Sequence, residues 1–456
     1  MSIIVLLPAF LAAFIALIKS PHQAFIFVYV PVLLFLPNYY HWKILGIPDP
    51  TFATATILPI IVVWVARGLQ GWRFSFMDIL VIGFAFAVLY SESLSQPGRA
   101  HYQNFIINFS AVVVCPYLLA KSLIEPAGLR EAFAKSIVIV LFLVAILMVY
   151  QFVTKSPYTL TQSLLGRFFG GEGWLHSGRM RWGFRRVPGP YGHEILAGIV
   201  FWIGYRIQRW LEWNKAWSQS KFAWLKSIPV ARLLTLGILI GGLTTLVRGP
   251  LVGAIIAAFV PLIGLSKKRW LIFWILVALF IIAGIPLILW FINYASIDPS
   301  LAETQAHQTV AYRWQLVVDY FSIAMEQAIW GWGRFGAPVV STHQWSIDNH
   351  FLLLFLNHGL VGLSFFVAIF LTMLVRLFIH SMSLPLTNTI PLGFTLLSLY
   401  VLILVSVATV WLGQQTLPLF FLIVGWSEGY LLSGKEKIRE EPKLLAQKRF
   451  QFRRLL

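Results

Sequence analysis

Thirteen stretches of this chain are apolar over most of the length needed to cross the ~30 Å hydrocarbon core of a bilayer. They fall near residues 2–18, 22–36, 51–66, 77–91, 104–121, 134–153, 192–208, 228–246, 250–266, 270–294, 350–379, 388–411 and 415–432. In lipid every backbone N–H and C=O must find a partner inside the protein, which leaves helices or closed barrels, and runs of this length read as helices. The expected fold class is therefore all-α, a polytopic membrane helical bundle. It has 12 or 13 spans, because the second run is short, ends at Pro37 and also reads as a tilted or re-entrant element. Composition agrees: 59% of the 456 residues are hydrophobic and 11% charged, outside the range of water-soluble domains.

Basic residues set the orientation. Arg67, Arg73, Arg130, Lys135, Arg206, Arg209, Lys215, Lys221, Lys226, Lys267, Lys268, Arg269 and Arg376 all fall in connections that alternate to one side, which the positive-inside rule makes cytoplasmic. The chain then divides into one transmembrane domain over 1–432, with external loops at about 155–191 and 295–349, and a basic cytoplasmic tail over 433–456. The tail composition fits a disordered or surface-lying segment held by anionic membrane lipid. The net charge of +18 resides mainly in membrane-flanking loops, so it points to lipid or an anionic substrate and not to nucleic acid. The single cysteine, Cys115, lies in an apolar run and excludes an intramolecular disulfide. The first residues lack a basic n-region and a cleavage site, and read as a retained hydrophobic segment.

Chemistry is expected in the two long connections. The first carries Lys155, Arg167, Arg179, Arg181, Arg185 and Arg186 against Glu172, a basic loop on the side where such loops are unusual. Arginine dominates it, and guanidinium forks match phosphate oxygens, so a phosphate or diphosphate ligand is expected. The second carries Asp298, Glu303, Asp319, Glu326 and Asp348 against Arg313 and Arg334. Within it Leu316, Tyr320 and Ile323 recur at helical spacing, the pattern of an amphipathic helix at the outer interface. Trp314, Trp330, Trp332 and Trp345 fit either an interfacial aromatic belt or a platform for sugar rings. The stretch 330–362 joins these features: Gly331, Gly333 and Gly336 permit tight turns, and Asp348, Asn349 and His350 stand at the start of a long apolar run. Asp and Asn there read equally as a helix N-cap.

Four segments resemble the O-antigen ligase-like superfamily, which includes O-antigen ligases, Wzy-type polysaccharide polymerases and O-linked oligosaccharyltransferases. LTTLVRGPLVGAII is similar to its Ser-Arg-Gly segment and points to Arg248 and Gly249, with Val247 in place of serine. Arg313, the aromatic-rich helix and GWGRFG follow the family order. DNHFLLLFLNHGLVGL resembles a His-Asn pair, an apolar decade and Gly-x-x-Gly, matched by Gly359 and Gly362. RRVPGPYGHEILAG is like a Gly-x-Phe-x-x-Pro segment that precedes a span. Where ligases carry the histidine of His-Asn this chain has Asp348, which looks like the Asp-Asn of polymerases.

The resemblance implies a glycosyltransferase that moves glycan from an undecaprenyl-diphosphate carrier to an acceptor hydroxyl at the outer face of the bacterial cytoplasmic membrane. It makes repeat-unit polymerisation for O-antigen or exopolysaccharide the leading function. Transfer to lipid A core is the alternative, and a lipid-linked glycan transporter is the alternative of another class. Arg248 and Arg313 are expected at the diphosphate, with Arg185 and Arg186 as auxiliary contacts. Asp348 or His350 is expected as the general base, and Asn349, Trp345 and His193 at the acceptor or sugar; His193 and Glu194 also read as capping and packing groups. The implied partners are the lipid-linked donor, an acceptor glycan, membrane lipid, a flippase and a chain-length regulator. No HExxH, outer DxD or carboxylate cluster is seen, so no cofactor and no metal is expected. Purified protein should keep its activity in EDTA; loss in EDTA and return with Mg²⁺ or Mn²⁺ would refute that expectation.

Overall fold

The computed structural model describes residues 2–42, 49–95, 102–170, 180–217, 229–302, 304–338, 347, 349–386 and 389–450, without the side chains of 160, 299, 305, 306, 309, 313 and 435–450. Each expected apolar run is a helix. In chain order these are α1 (Ile3–Ile18), α2 (Pro21–Phe35), α3 (Phe52–Ala66), α4 (Phe76–Leu94), α5 (Tyr102–Leu123), α6 (Arg130–Thr154), α7 (Glu194–Trp213), α8 (Val230–Thr244), α9 (Arg248–Leu265) and α10 (Arg269–Ala295). Then follow the amphipathic α11 (Gln305–Glu326), α12 (His350–Ser383), α13 (Leu392–Val407) and α14 (Thr416–Phe450). Among the described residues seven of these helices are long and apolar enough to cross a membrane, and five more are shorter apolar helices. The protein is an all-α polytopic bundle. A two-stranded hairpin, β1 (Met180–Arg181) and β2 (Phe184–Arg185), lies in the first long connection.

Side-chain caps start several helices where the sequence supplies a short polar group. Thr51 accepts from the Thr54 N–H at α3, and Thr304 accepts from the His307 N–H at α11. The core is filled by large side chains such as Trp64, Phe84, Phe133, Tyr400 and Trp426, all buried.

The two ends of the bundle differ. At one end the basic residues are tied down: Lys121 pairs with Asp78 at 2.7 Å, Arg130 with Glu125 at 2.6 Å and Arg376 with Glu428 at 2.6 Å. Arg67 there donates to the Leu17 carbonyl at 2.7 Å, and Arg269 to that of Leu384 at 2.6 Å. The opposite end gathers the described parts of the connections 36–41, 155–170, 180–193, 245–247, 296–302, 327–338 and 408–415.

Two elements depart from the sequence reading. The run 350–379, read as one span, is two arms. Gly359 adopts φ 63° and ψ −169° inside α12, and the His350 and Phe366 ring centroids lie 5.1 Å apart. A straight helix would hold residues sixteen apart at about 24 Å, so the arm 350–358 folds back on the arm 360–383. The longer arm still has the length of a span. The second departure is the tail, where the helix of the last span continues to Phe450. Its Lys, Glu, Arg and Leu content favours helix over coil.

The fold-back is locked by the glycine-rich segment after α11. Trp332 N–H donates to the Leu356 carbonyl at 2.9 Å and Gly333 N–H to that of Asn357 at 2.8 Å. In the other direction Leu360 N–H donates to the Ala328 carbonyl at 2.7 Å. Groups freed by breaking α12 are thereby satisfied by another backbone. The Ser91 hydroxyl adds a bridge, 2.5 Å from the Trp330 carbonyl oxygen and 2.8 Å from that of Asn357. Glu92, buried beside it, accepts from the Arg334 N–H at 2.8 Å and pairs with its guanidinium at 3.2 Å.

α11 behaves as its spacing predicts: Tyr320 and Ala324 are buried against Leu352, Phe355 and Leu356 of the short arm. α10 differs from every other long helix. Its span has no buried residue in its most apolar stretch. It is held at its ends, by Phe273 against Phe378 at 4.8 Å and by Tyr294 stacked on His307 at 3.8 Å. Between them most of its apolar side chains are exposed on the surface of the bundle.

Candidate functional site

The eight-residue connection 408–415, between α13 and α14, is the point where several segments of this end meet. Its Leu412 N–H donates to His350 Nδ1 at 3.3 Å. The amide of Gln415 donates to the carbonyls of Leu36 at 3.1 Å and Pro190 at 3.0 Å. Thr409 faces the start of α9, where a Cβ on Gly249 would lie 3.0 Å from its Oγ1. Gln414 lies beside Gly192 and Tyr39. One short loop thus touches the segments that carry Arg248, His193 and His350.

Arg248 is exposed at the first position of α9, directly after the tight turn 245–247. Val247 stands at the N-cap and supplies no side-chain cap, so the first N–H groups of this helix lack a side-chain acceptor. A guanidinium at an uncapped helix N-terminus is an arrangement suited to an anion. The Arg248 Cζ also lies 5.1 Å from the centroid of Trp182, at the tip of the hairpin.

Three other arginines of the basic loop are engaged elsewhere. Arg181 donates to the Leu246 carbonyl at 2.6 Å, and Arg185 to the Lys155 carbonyl at 3.0 Å. Arg186 is buried, paired with the fully buried carboxylate of Glu194 at 2.6 Å. Its Nε also lies 3.5 Å from the Thr245 carbonyl oxygen. Arg181 and Arg186 clamp the hairpin segment onto the turn that launches α9, and Arg185 ties it to the end of α6. Replacing Arg186 by Met should strand the Glu194 carboxylate at a cost of about 3–5 kcal/mol, read as a lower unfolding temperature in detergent. Adding Glu194→Leu should restore most of the loss. A diphosphate ligand at Arg186 would give the other pattern, weakened donor binding in a protein of unchanged stability.

His193 caps α7, its Nδ1 accepting from the Ile195 N–H at 3.2 Å. Asn349 caps α12, its Oδ1 accepting from the Leu352 N–H at 3.1 Å. His350 is 4% exposed, and its Nε2 is buried without a hydrogen-bond partner among the described residues. Because Nδ1 accepts from a backbone N–H, the neutral ring carries its proton on Nε2. Asp348 and Trp345 lie outside the described residues, as does the Arg313 side chain. The Arg313 backbone can be placed on α11. Phe321 meets Phe355 and Ala328 meets Leu360, so α11 and the short arm run side by side in one direction. Residues before Phe321, Arg313 among them, therefore lie toward Asn349.

Sequence reasoning missed the 408–415 connection and Trp182. For Trp182 a signal existed, since MRWGFR alternates cationic and apolar residues around a two-residue turn, a hairpin pattern. For 408–415 there was only a short polar break, with Gly413, Gln414 and Gln415 between two apolar runs.

The described helices form a multi-pass membrane bundle, with an exposed arginine at the uncapped start of α9 beside a polar loop. Residues 233–367 match the family model described as O-antigen ligase, which supports membership of the O-antigen ligase-like superfamily. The matched segment runs from α8 into the second arm of α12, and so holds Arg248, Arg313, Asp348, Asn349, His350 and Gly359. That family implies a glycosyltransferase-like activity in general, of the ligase or polymerase type, with a lipid-linked glycan and an acceptor as partners. No curated protein matches the chain.

Proposed function

We propose that this protein polymerises undecaprenyl-diphosphate-linked oligosaccharide repeat units at the outer face of the bacterial cytoplasmic membrane, for O-antigen or exopolysaccharide. The observation that carries the reading is the 408–415 connection, which ties the start of α9, with its exposed Arg248, to the start of α12, with Asn349 and His350. The outward orientation of this end is supported by the Lys and Arg residues concentrated at the other.

In the proposed reaction an acceptor hydroxyl attacks the anomeric carbon of the donor sugar. The new glycosidic C–O bond forms as the bond from that carbon to the diphosphate breaks. Undecaprenyl diphosphate departs with the electron pair, and Arg248 and Arg313 balance the charge on its oxygens. The hydroxyl proton passes to Asp348. His350 is the poorer base in this arrangement, because its acceptor nitrogen is engaged by Leu412 and its other nitrogen holds a proton. It acts as a positioning residue, fastening the 408–415 connection to the helix that begins beside Asp348. Asn349 uses its oxygen as a cap and keeps its amide N–H groups for a sugar hydroxyl.

The Asp348–Asn349 pair supports polymerase over ligase. The test is glycan length in cells lacking the chromosomal copy. Single repeat units in the null, restored to long chains by wild type, are expected. Unattached long polymer in the null would make the protein a ligase, and lipid-linked repeats retained on the cytoplasmic side would make it a transporter.

A further inference from the structure

Trp182 occupies a position where a bulky side chain costs stability. It is the first central residue of the two-residue turn between β1 and β2, with φ 52°, followed by Gly183 with φ 78°. Two successive positive φ values define the turn type that Asn-Gly or Gly-Gly fills at least cost, and an aromatic residue there is an outlier. The side chain is also 67% exposed. A strained, exposed indole at the tip of a clamped hairpin calls for an interaction that repays it.

The hairpin holds that indole in a defined place. Arg181 fixes it to the Leu246 carbonyl, Val187 N–H donates to the Thr244 carbonyl at 3.3 Å, and Phe184 stacks on Phe152 of α6 at 5.6 Å. One face of the Trp182 ring meets the Arg248 guanidinium. Beyond that contact most of the residue is exposed, and no ring or cation among the described residues is found against its other face. A group held by Arg248 and a group lying on that other face of Trp182 would be immediate neighbours, as a phosphate and the sugar glycosidically bonded to it are.

We infer that Trp182 is the stacking platform for the donor sugar that is joined to the diphosphate, and so contributes to choosing which lipid-linked glycan is used. The inference rests on the reading of Arg248 as a diphosphate ligand. A sugar presents a face of C–H groups to an aromatic ring, and the electron-rich indole suits it. Polarisation by the cation on the opposite face keeps the ring fixed in orientation.

The test compares two probes in nanodiscs, bare undecaprenyl diphosphate and undecaprenyl-diphosphate-linked oligosaccharide, binding to wild type, Trp182→Asn, Trp182→Phe and Arg248→Ala. Asparagine satisfies the turn, so the Trp182→Asn protein should be at least as stable as wild type, which melting will verify. Expected is a loss of about ten-fold in affinity for the glycosylated probe in Trp182→Asn, with bare diphosphate bound within about two-fold of wild type and partial recovery in Trp182→Phe. Equal loss for both probes would reduce Trp182 to a support for Arg248 and overturn the inference. Loss for neither would leave the ring against lipid alone and overturn it too. Failure of the underlying reading has its own signature, unchanged binding of bare diphosphate by Arg248→Ala.

Discussion

Replacing Gly359 by alanine should remove most of the folded protein from the membrane. The residue has φ 63°, and a Cβ there would lie 2.2 Å from the Ile329 carbonyl oxygen and 2.6 Å from the Trp330 nitrogen. Those are backbone atoms, held by the hydrogen bonds that lock the fold-back, so they cannot move aside as a flexible side chain would. Strain at positive φ together with loss of the Leu360 and Val361 N–H bonds to the Ala328 and Ile329 carbonyls should cost on the order of 3–5 kcal/mol. Gly331→Ala should behave similarly, because its Cβ would lie 2.5 Å from the Asn357 carbonyl oxygen. Gly68 provides the control. It has φ 79° with nothing within 4 Å of a Cβ, so Gly68→Ala bears only the conformational cost of about 1–2 kcal/mol. Solubilised yield and unfolding temperature should fall far more for Gly359→Ala and Gly331→Ala than for Gly68→Ala. Equal behaviour of the three would refute the locked fold-back.

The largest effect on chemistry is expected at Asp348. Changing it to Asn keeps size and hydrogen bonding but removes the base, and transfer from pre-bound donor should slow by about 10²–10⁴-fold while donor affinity is retained. His350→Gln should lose less in the chemical step, because the imidazole's accepting nitrogen serves the Leu412 N–H. A single-turnover comparison separates the two. If His350→Gln abolishes transfer and Asp348→Asn leaves it near wild type, the base is His350 and the tautomer assigned from the Leu412 contact is wrong.

Much of the fold was legible because hydrophobic length and period determine helices in lipid. α11 could be read from Leu316, Tyr320 and Ile323 because one face of it is buried and the other is not. The cap at Asn349 was legible for the same local reason. The fold-back was not, because a glycine inside FLNHGLVG is compatible with a continuous helix until another backbone arrives to occupy its missing Cβ. The engagement of Arg186 was hidden because its partner Glu194 reads as the first residue of a span, and only packing buries the two together. The 408–415 connection carries no charged residue, and its importance comes from what it touches. Local pattern shows the elements, whereas the site depends on contacts between residues far apart in sequence.

The central claim is that the end of the bundle holding Arg248 binds the polyprenyl diphosphate of a glycan donor and transfers its sugar. The most direct measurement is transfer by purified protein in nanodiscs, using undecaprenyl-diphosphate-linked repeat units as both donor and acceptor. Chain length and released undecaprenyl diphosphate would be followed for wild type, Arg248→Ala and a surface control at the opposite end, Arg73→Ala. The predicted result is release of one undecaprenyl diphosphate per added repeat by wild type and Arg73→Ala, with transfer by Arg248→Ala reduced at least about ten-fold by loss of charge stabilisation. Undiminished transfer by a folded Arg248→Ala protein would contradict the account.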